Sequence, residues 1–126
     1  MPALPLRLLI GLLGLLALGQ TGHLWLDPHA AGATLGLADQ GLTGLATLRA
    51  DIGGIFGGMG VLMLYGAVRT SPGALMATQV MAAVALTGRV VAALHDGFGQ
   101  AQIQPMVIET IILCVLEIGR RTFRKA

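Results

Sequence analysis

From Leu8 to Leu26 the chain carries no Asp, Glu, Lys or Arg. Wound as a helix at about 1.5 Å per residue, this stretch is long enough to cross a hydrocarbon core of about 30 Å. Three more stretches of similar character follow, at about Leu45–Val68, Gly73–Leu94 and Ile103–Gly119. In lipid, backbone N–H and C=O groups must find partners within the protein, which an α-helix provides from its own segment. The prediction is one all-α domain over residues 1–126, an integral membrane four-helix bundle. Composition agrees. Hydrophobic residues make up 55% of the chain and charged residues 11%, against about 25% charged in soluble domains. There is too little polar surface to face water on every side.

The breaks between spans have their own chemistry. Arg69-Thr70-Ser71-Pro72-Gly73 predicts a tight turn in which Pro72 presets the next helix start. His95-Asp96-Gly97-Phe98-Gly99 combines glycines and an Asp, which favour a turn. Asp27-Pro28 ends the first span, and Asp27 to Gly44 is the longest connection, too weakly patterned to assign a helix. A signal peptide competes for the first span, with Arg7, a leucine-rich stretch and small residues at Ala17 and Gly19. The apolar run continues through Leu24 and Trp25, beyond such a core, so an uncleaved first helix is expected. Trp25 at its end fits an interfacial anchor.

Orientation follows from the basic residues. Arg7, Arg69, Arg120, Arg121, Arg124 and Lys125 fall on one side, whereas the loops 27–44 and 95–102 hold none and carry Asp27, Asp39 and Asp96. Lys and Arg mark the cytoplasmic side, so both termini are expected in the cytoplasm of a bacterium, with the spans in its inner membrane. The net charge of +2 does not imply nucleic acid. Four of the eight basic residues lie in the last seven positions, where they suit anionic membrane lipids.

The second span contains Gly53, Gly54, Gly57, Gly58 and Gly60. Each glycine costs roughly 1 kcal/mol relative to Ala in a water-exposed helix. In a bilayer, small residues four apart let helix backbones touch. The pairs Gly53/Gly57 and Gly54/Gly58 are therefore expected to pack helices together, within the monomer, against a second copy, or around a ligand.

Four ionisable residues fall inside the spans: Arg49, Asp51, Arg89 and Glu109. An Arg or Asp at mid-helix costs about 2.5–3.5 kcal/mol on an insertion scale, so these residues should be paired or face a wet cavity. Asp51 lies 18 residues before Arg69, and Arg89 lies 17 after Pro72. Both should therefore stand about 26 Å from that turn. Glu109, 7 residues past Gln102, comes to the same level. Arg49 and Asp51 are about 200° apart around a helix and cannot both face one partner. The expectation is Asp51 turned inward and paired with Arg89, with Arg49 reaching lipid phosphates. The cluster serves either as a register-fixing network or as the lining of a small cavity that holds a polar headgroup.

Other signals stay weak. His23, His29, His95, Met59 and Met63 lack metal-ligand spacing, and methionines at i, i+4 are more often core filler. Neither a metal nor a cofactor is expected. Cys114 has no partner for a disulfide and reads as an inert core residue. The glycines sit in mid-helix rather than between a strand and a helix, so no nucleotide loop is indicated, and no catalytic residue stands out.

Arg49-Ala50-Asp51-Ile52-Gly53-Gly54, with Gly88-Arg89 and Glu109, resembles a bacterial family of small four-helix membrane proteins of unknown function. More distantly, the chain resembles the DoxX-like superfamily. That resemblance implies quinone-linked redox chemistry or the assembly of membrane-protein partners, although the chain has no redox-active cysteine pair. Three functions are thus expected in order: binding of a small amphiphile or a lipid or quinone headgroup at the charge cluster; an accessory role for a membrane-protein partner or homo-oligomer; and quinone-linked catalysis with Glu109 carrying a proton.

Overall fold

A computed structural model describes residues 3–38 and 41–126, and the described residues are helical or connecting turns. Helix α1 spans Ala3–Leu26. Asp27 then caps α2 (Pro28–Thr34) by accepting a hydrogen bond from the Ala30 amide at 3.1 Å, with Pro28 in the first turn. A second short helix, α3 (Gly41–Thr47), runs through a π-helical turn at Leu48–Ile52 into α4 (Gly53–Arg69). Together these three make one apolar rod of 29 residues. The connection left unassigned in the sequence thus contains helix at both ends. Asp39, counted there among its acids, lies outside the described residues.

Thr70 closes α4 in the left-handed conformation, with φ 49°. Ser71 then caps α5 (Pro72–His95) through its hydroxyl, which accepts from the Ala74 amide at 3.3 Å. Gly97, at φ 99°, lets the chain reverse. A single 3₁₀ turn at Gln100–Gln102 leads into α6 (Ile103–Lys125). Four helices are long and apolar enough to cross a membrane: α1, the α3–α4 rod, α5 and α6. Their order places both termini and the 69–72 turn at one end, called the basic end below.

The packing consists of two helix pairs. Between α1 and α4 the backbones touch: a Cβ built on Gly14 would lie 2.9 Å from the Gly60 carbonyl oxygen, and one on Gly60 2.8 Å from the Gly14 oxygen. Gly57 rests against Thr21 and Gly53 against Trp25. At the basic end, Arg7 donates through Nε to the Ala67 carbonyl at 2.7 Å and through Nη2 to Val68 at 3.0 Å. A cation is well placed on these last carbonyls of α4, where the helix dipole is negative.

The second pair is α5 with α6. It meets α1 and α4 around a core of Ile10, Met63, Ala67, Leu75, Leu116 and Phe123. In α5 the buried residues all lie between Ala74 and Ala82, and in α6 between Leu116 and Phe123. The two pairs therefore join in the half nearest the basic end. In the other half α5 and α6 hold chiefly to each other, while Leu24, Ala31 and Leu48 form a small separate core beneath α2.

Two features depart from the sequence expectations. Cys114 is exposed on α6, not a core residue, because a membrane-facing surface takes apolar side chains as readily as an interior does. The fourth helix also runs past Gly119 to Lys125. Its last turns are supported by Glu117, which pairs with Arg120 and Arg121 at i+3 and i+4.

Candidate functional site

Arg89 and Glu109 face each other across the α5–α6 pair, at the end opposite the basic one. The Arg89 Nε donates to both carboxylate oxygens of Glu109, at 2.8 and 2.9 Å. Leu75, Thr78 and Ala82 are buried on α5. Arg89 lies two turns beyond Ala82 on the same face. Glu109 stands in the same relation to buried Leu116 on α6. The core-facing stripe of both helices thus becomes charged at the level where α1 and α4 stop covering it. Arg89 keeps 40% of its side-chain surface exposed and Glu109 only 19%. The carboxylate lies behind and the guanidinium in front.

In front of Arg89 is a cleft of about 650 Å³. One wall is the end of α2 and the following turn, Ala33 to Gly36. The other is Arg89 with Ala101, Gln102, Gln104, Pro105 and Ile108 of the 3₁₀ turn and α6. Its lining is mixed: a guanidinium, two carboxamides and a threonine beside apolar carbon. Glu109 does not line it.

The expected Asp51–Arg89 pair does not form. Asp51 is exposed and has no ion pair or hydrogen bond among the described residues. Helix α4 turns the face carrying Arg49, Gly53 and Gly60 toward α1, which leaves Asp51 on the outward side. Arg49 does not reach toward lipid phosphates through Nε either. Its Nε donates to the Trp25 carbonyl at 3.1 Å, and the Trp25 ring nitrogen returns a bond to the Arg49 carbonyl at 3.0 Å. Thr21 adds a bond to the Gly53 carbonyl at 2.9 Å. These α1 donors meet the rod at the π-turn, where an added residue disturbs the i→i−4 ladder and leaves carbonyls open. The π-turn thus serves as a fastening point between α1 and the rod.

Of the glycines, Gly53 and Gly57 face α1, whereas a Cβ on Gly54 or Gly58 would meet nothing within 4 Å. These last two line a shallow apolar groove of about 390 Å³ with Leu18, Gly22 and Val61.

A second polar cluster escaped the sequence reading. Glu117 accepts from Gln79 at 3.0 Å and from Arg120 at 2.8 and 2.9 Å, and pairs with Arg121 as well. It fastens α6 to α5 near the basic end. The signal was present in an acid placed three and four residues before two arginines. Among the described residues, no three His, Cys, Asp or Glu side chains gather where they could hold a metal ion.

No protein-family model, curated protein or solved structure matches the chain.

Proposed function

We propose that the chain is a multi-pass protein of a bacterial inner membrane, with both termini cytoplasmic, that binds a small amphiphile or lipid at the cleft beside Arg89. One observation carries this. A partly exposed guanidinium, steadied from behind by Glu109, lines a cleft of about 650 Å³ in the half where the helix pairs cover each other least. Charge at membrane depth is expensive and is retained where it meets a partner or a wet cavity; Arg89 has a partner in Glu109 and lines a cleft. The apolar wall residues Leu35 and Ile108 suit a tail, and the polar ones a head. With the basic residues on the cytoplasmic side, the cleft opens in the outer leaflet.

Native mass spectrometry of the gently solubilised protein, wild type beside Arg89→Ala, tests the proposal. A discrete bound mass in wild type that disappears in the variant is expected. Equal occupancy in both would remove Arg89 from binding and overturn the site.

A second role rests on a different observation. Gly54 and Gly58 form an open small-residue face of the kind that lets transmembrane helices approach closely. It suits a membrane-protein partner or a second copy, as an accessory or assembly role requires. Gly54→Leu and Gly58→Leu are expected to disrupt a co-purifying complex while leaving the monomer folded; an unchanged complex would exclude the face.

A further inference from the structure

We infer that the head received in this cleft is an oxyanion, a phosphate or carboxylate, gripped by the two terminal nitrogens of Arg89. The inference rests on the headgroup site proposed above and narrows its ligand. Arg7 and Arg120 each spend Nε and a terminal nitrogen on their partners. Arg89 spends only Nε, sharing it between both oxygens of Glu109. Neither of its terminal nitrogens donates a hydrogen bond among the described residues. A guanidinium has donors alone and offers them as a planar fork that matches carboxylate and phosphate.

The rest of the lining favours the same class. Gln102 and Gln104 carry uncharged amides able to donate, and no acidic side chain lines the cleft among the described residues. Glu109 offsets the Arg89 charge when the cleft is empty but stays behind it, at 19% exposure. It is therefore a positioning residue that also competes with the ligand for the same guanidinium. A cationic head would meet Arg89 as a like charge, and a neutral polyol would use the fork only weakly.

The test is binding to purified protein in one detergent, followed by native mass spectrometry. Three probes are compared: dioleoyl phosphatidic acid, dioleoylglycerol and sn-glycerol 3-phosphate. Phosphatidic acid is expected to bind about tenfold tighter than dioleoylglycerol, the scale of a charged hydrogen-bonded contact. Arg89→Met should abolish that preference. Glu109→Gln, which removes the competitor but keeps the cation, should strengthen phosphatidic acid binding several-fold. Ile108→Trp guards against a variant that fails to fold, because Ile108 is 47% exposed and lines the cleft; it should block binding with the ion pair intact. Equal binding of the two lipids, both lost in Arg89→Met and Ile108→Trp, would overturn the oxyanion and leave the amphiphile site standing. Glycerol phosphate binding as tightly as phosphatidic acid would keep the oxyanion but make its source soluble, overturning the amphiphile. Lipid binding indifferent to all three substitutions would overturn both.

Discussion

Breaking the Arg89–Glu109 pair should cost more than removing any other charge in the half of the spans away from the basic end. Taking one partner from a fully buried ion pair costs about 3–5 kcal/mol, because the remaining charge is stranded. Arg89 here keeps 40% exposure and Glu109 19%, so screening reduces the figure, and about 1–3 kcal/mol is expected for Glu109→Ala. Asp51→Asn, at an exposed position with no partner among the described residues, should not destabilise the fold, because it removes a charge that no described residue pairs with. The assay is reversible unfolding in mixed micelles, arranged as two double-mutant cycles. Arg89 with Glu109 should show a coupling energy of about 1–3 kcal/mol. Arg89 with Asp51 should show none. Coupling in the second cycle and none in the first would refute the assignment of partners and restore the pair that depth counting alone suggests.

Other outcomes follow from the packing. Gly60→Ala places a Cβ 2.8 Å from the Gly14 carbonyl oxygen and should cost about 1–3 kcal/mol, whereas Gly58→Ala meets open space and should leave the unfolding midpoint unchanged or raise it. Arg7→Met removes both side-chain bonds to the end of α4 and should cost about 1.5–3 kcal/mol in the same assay. Trp25→Phe unties the ring from the π-turn, and hydrogen exchange at residues 48–53 should quicken while exchange at the basic end holds; uniform protection across both would show that the clamp does not restrain the rod.

The helix ends were largely legible because their chemistry is local. Ser71-Pro72 and Asp27-Pro28 cap and start helices by bonds within a few residues. The match of Arg89 to Glu109 in depth was also readable by counting outward from the loop that joins α5 and α6. Choosing Asp51 instead failed because the face a helix presents depends on which neighbour it packs against. Arg49 and Gly60 share a face, and the contacts of both with α1 commit that face and turn Asp51 away. The π-turn at Leu48–Ile52 was not legible, since the side-chain donors to the Arg49 and Gly53 carbonyls there, Trp25 and Thr21, lie on another helix. A small cavity at the charge cluster was one expectation, but the wall that α2 and the turn after it give the cleft beside Arg89 was not legible, because glycine, alanine and threonine there leave no periodic trace.

In the proposed function an amphiphile rests its head beside Arg89. Photo-crosslinking tests it most directly, using a lipid with a diazirine at the headgroup and peptide mapping of the labelled protein. Label concentrated on residues 33–36 and 101–108, and lost in Ile108→Trp, is the predicted result. Label spread evenly over the apolar helix faces, or gathered at Gly54 and Gly58, would contradict it.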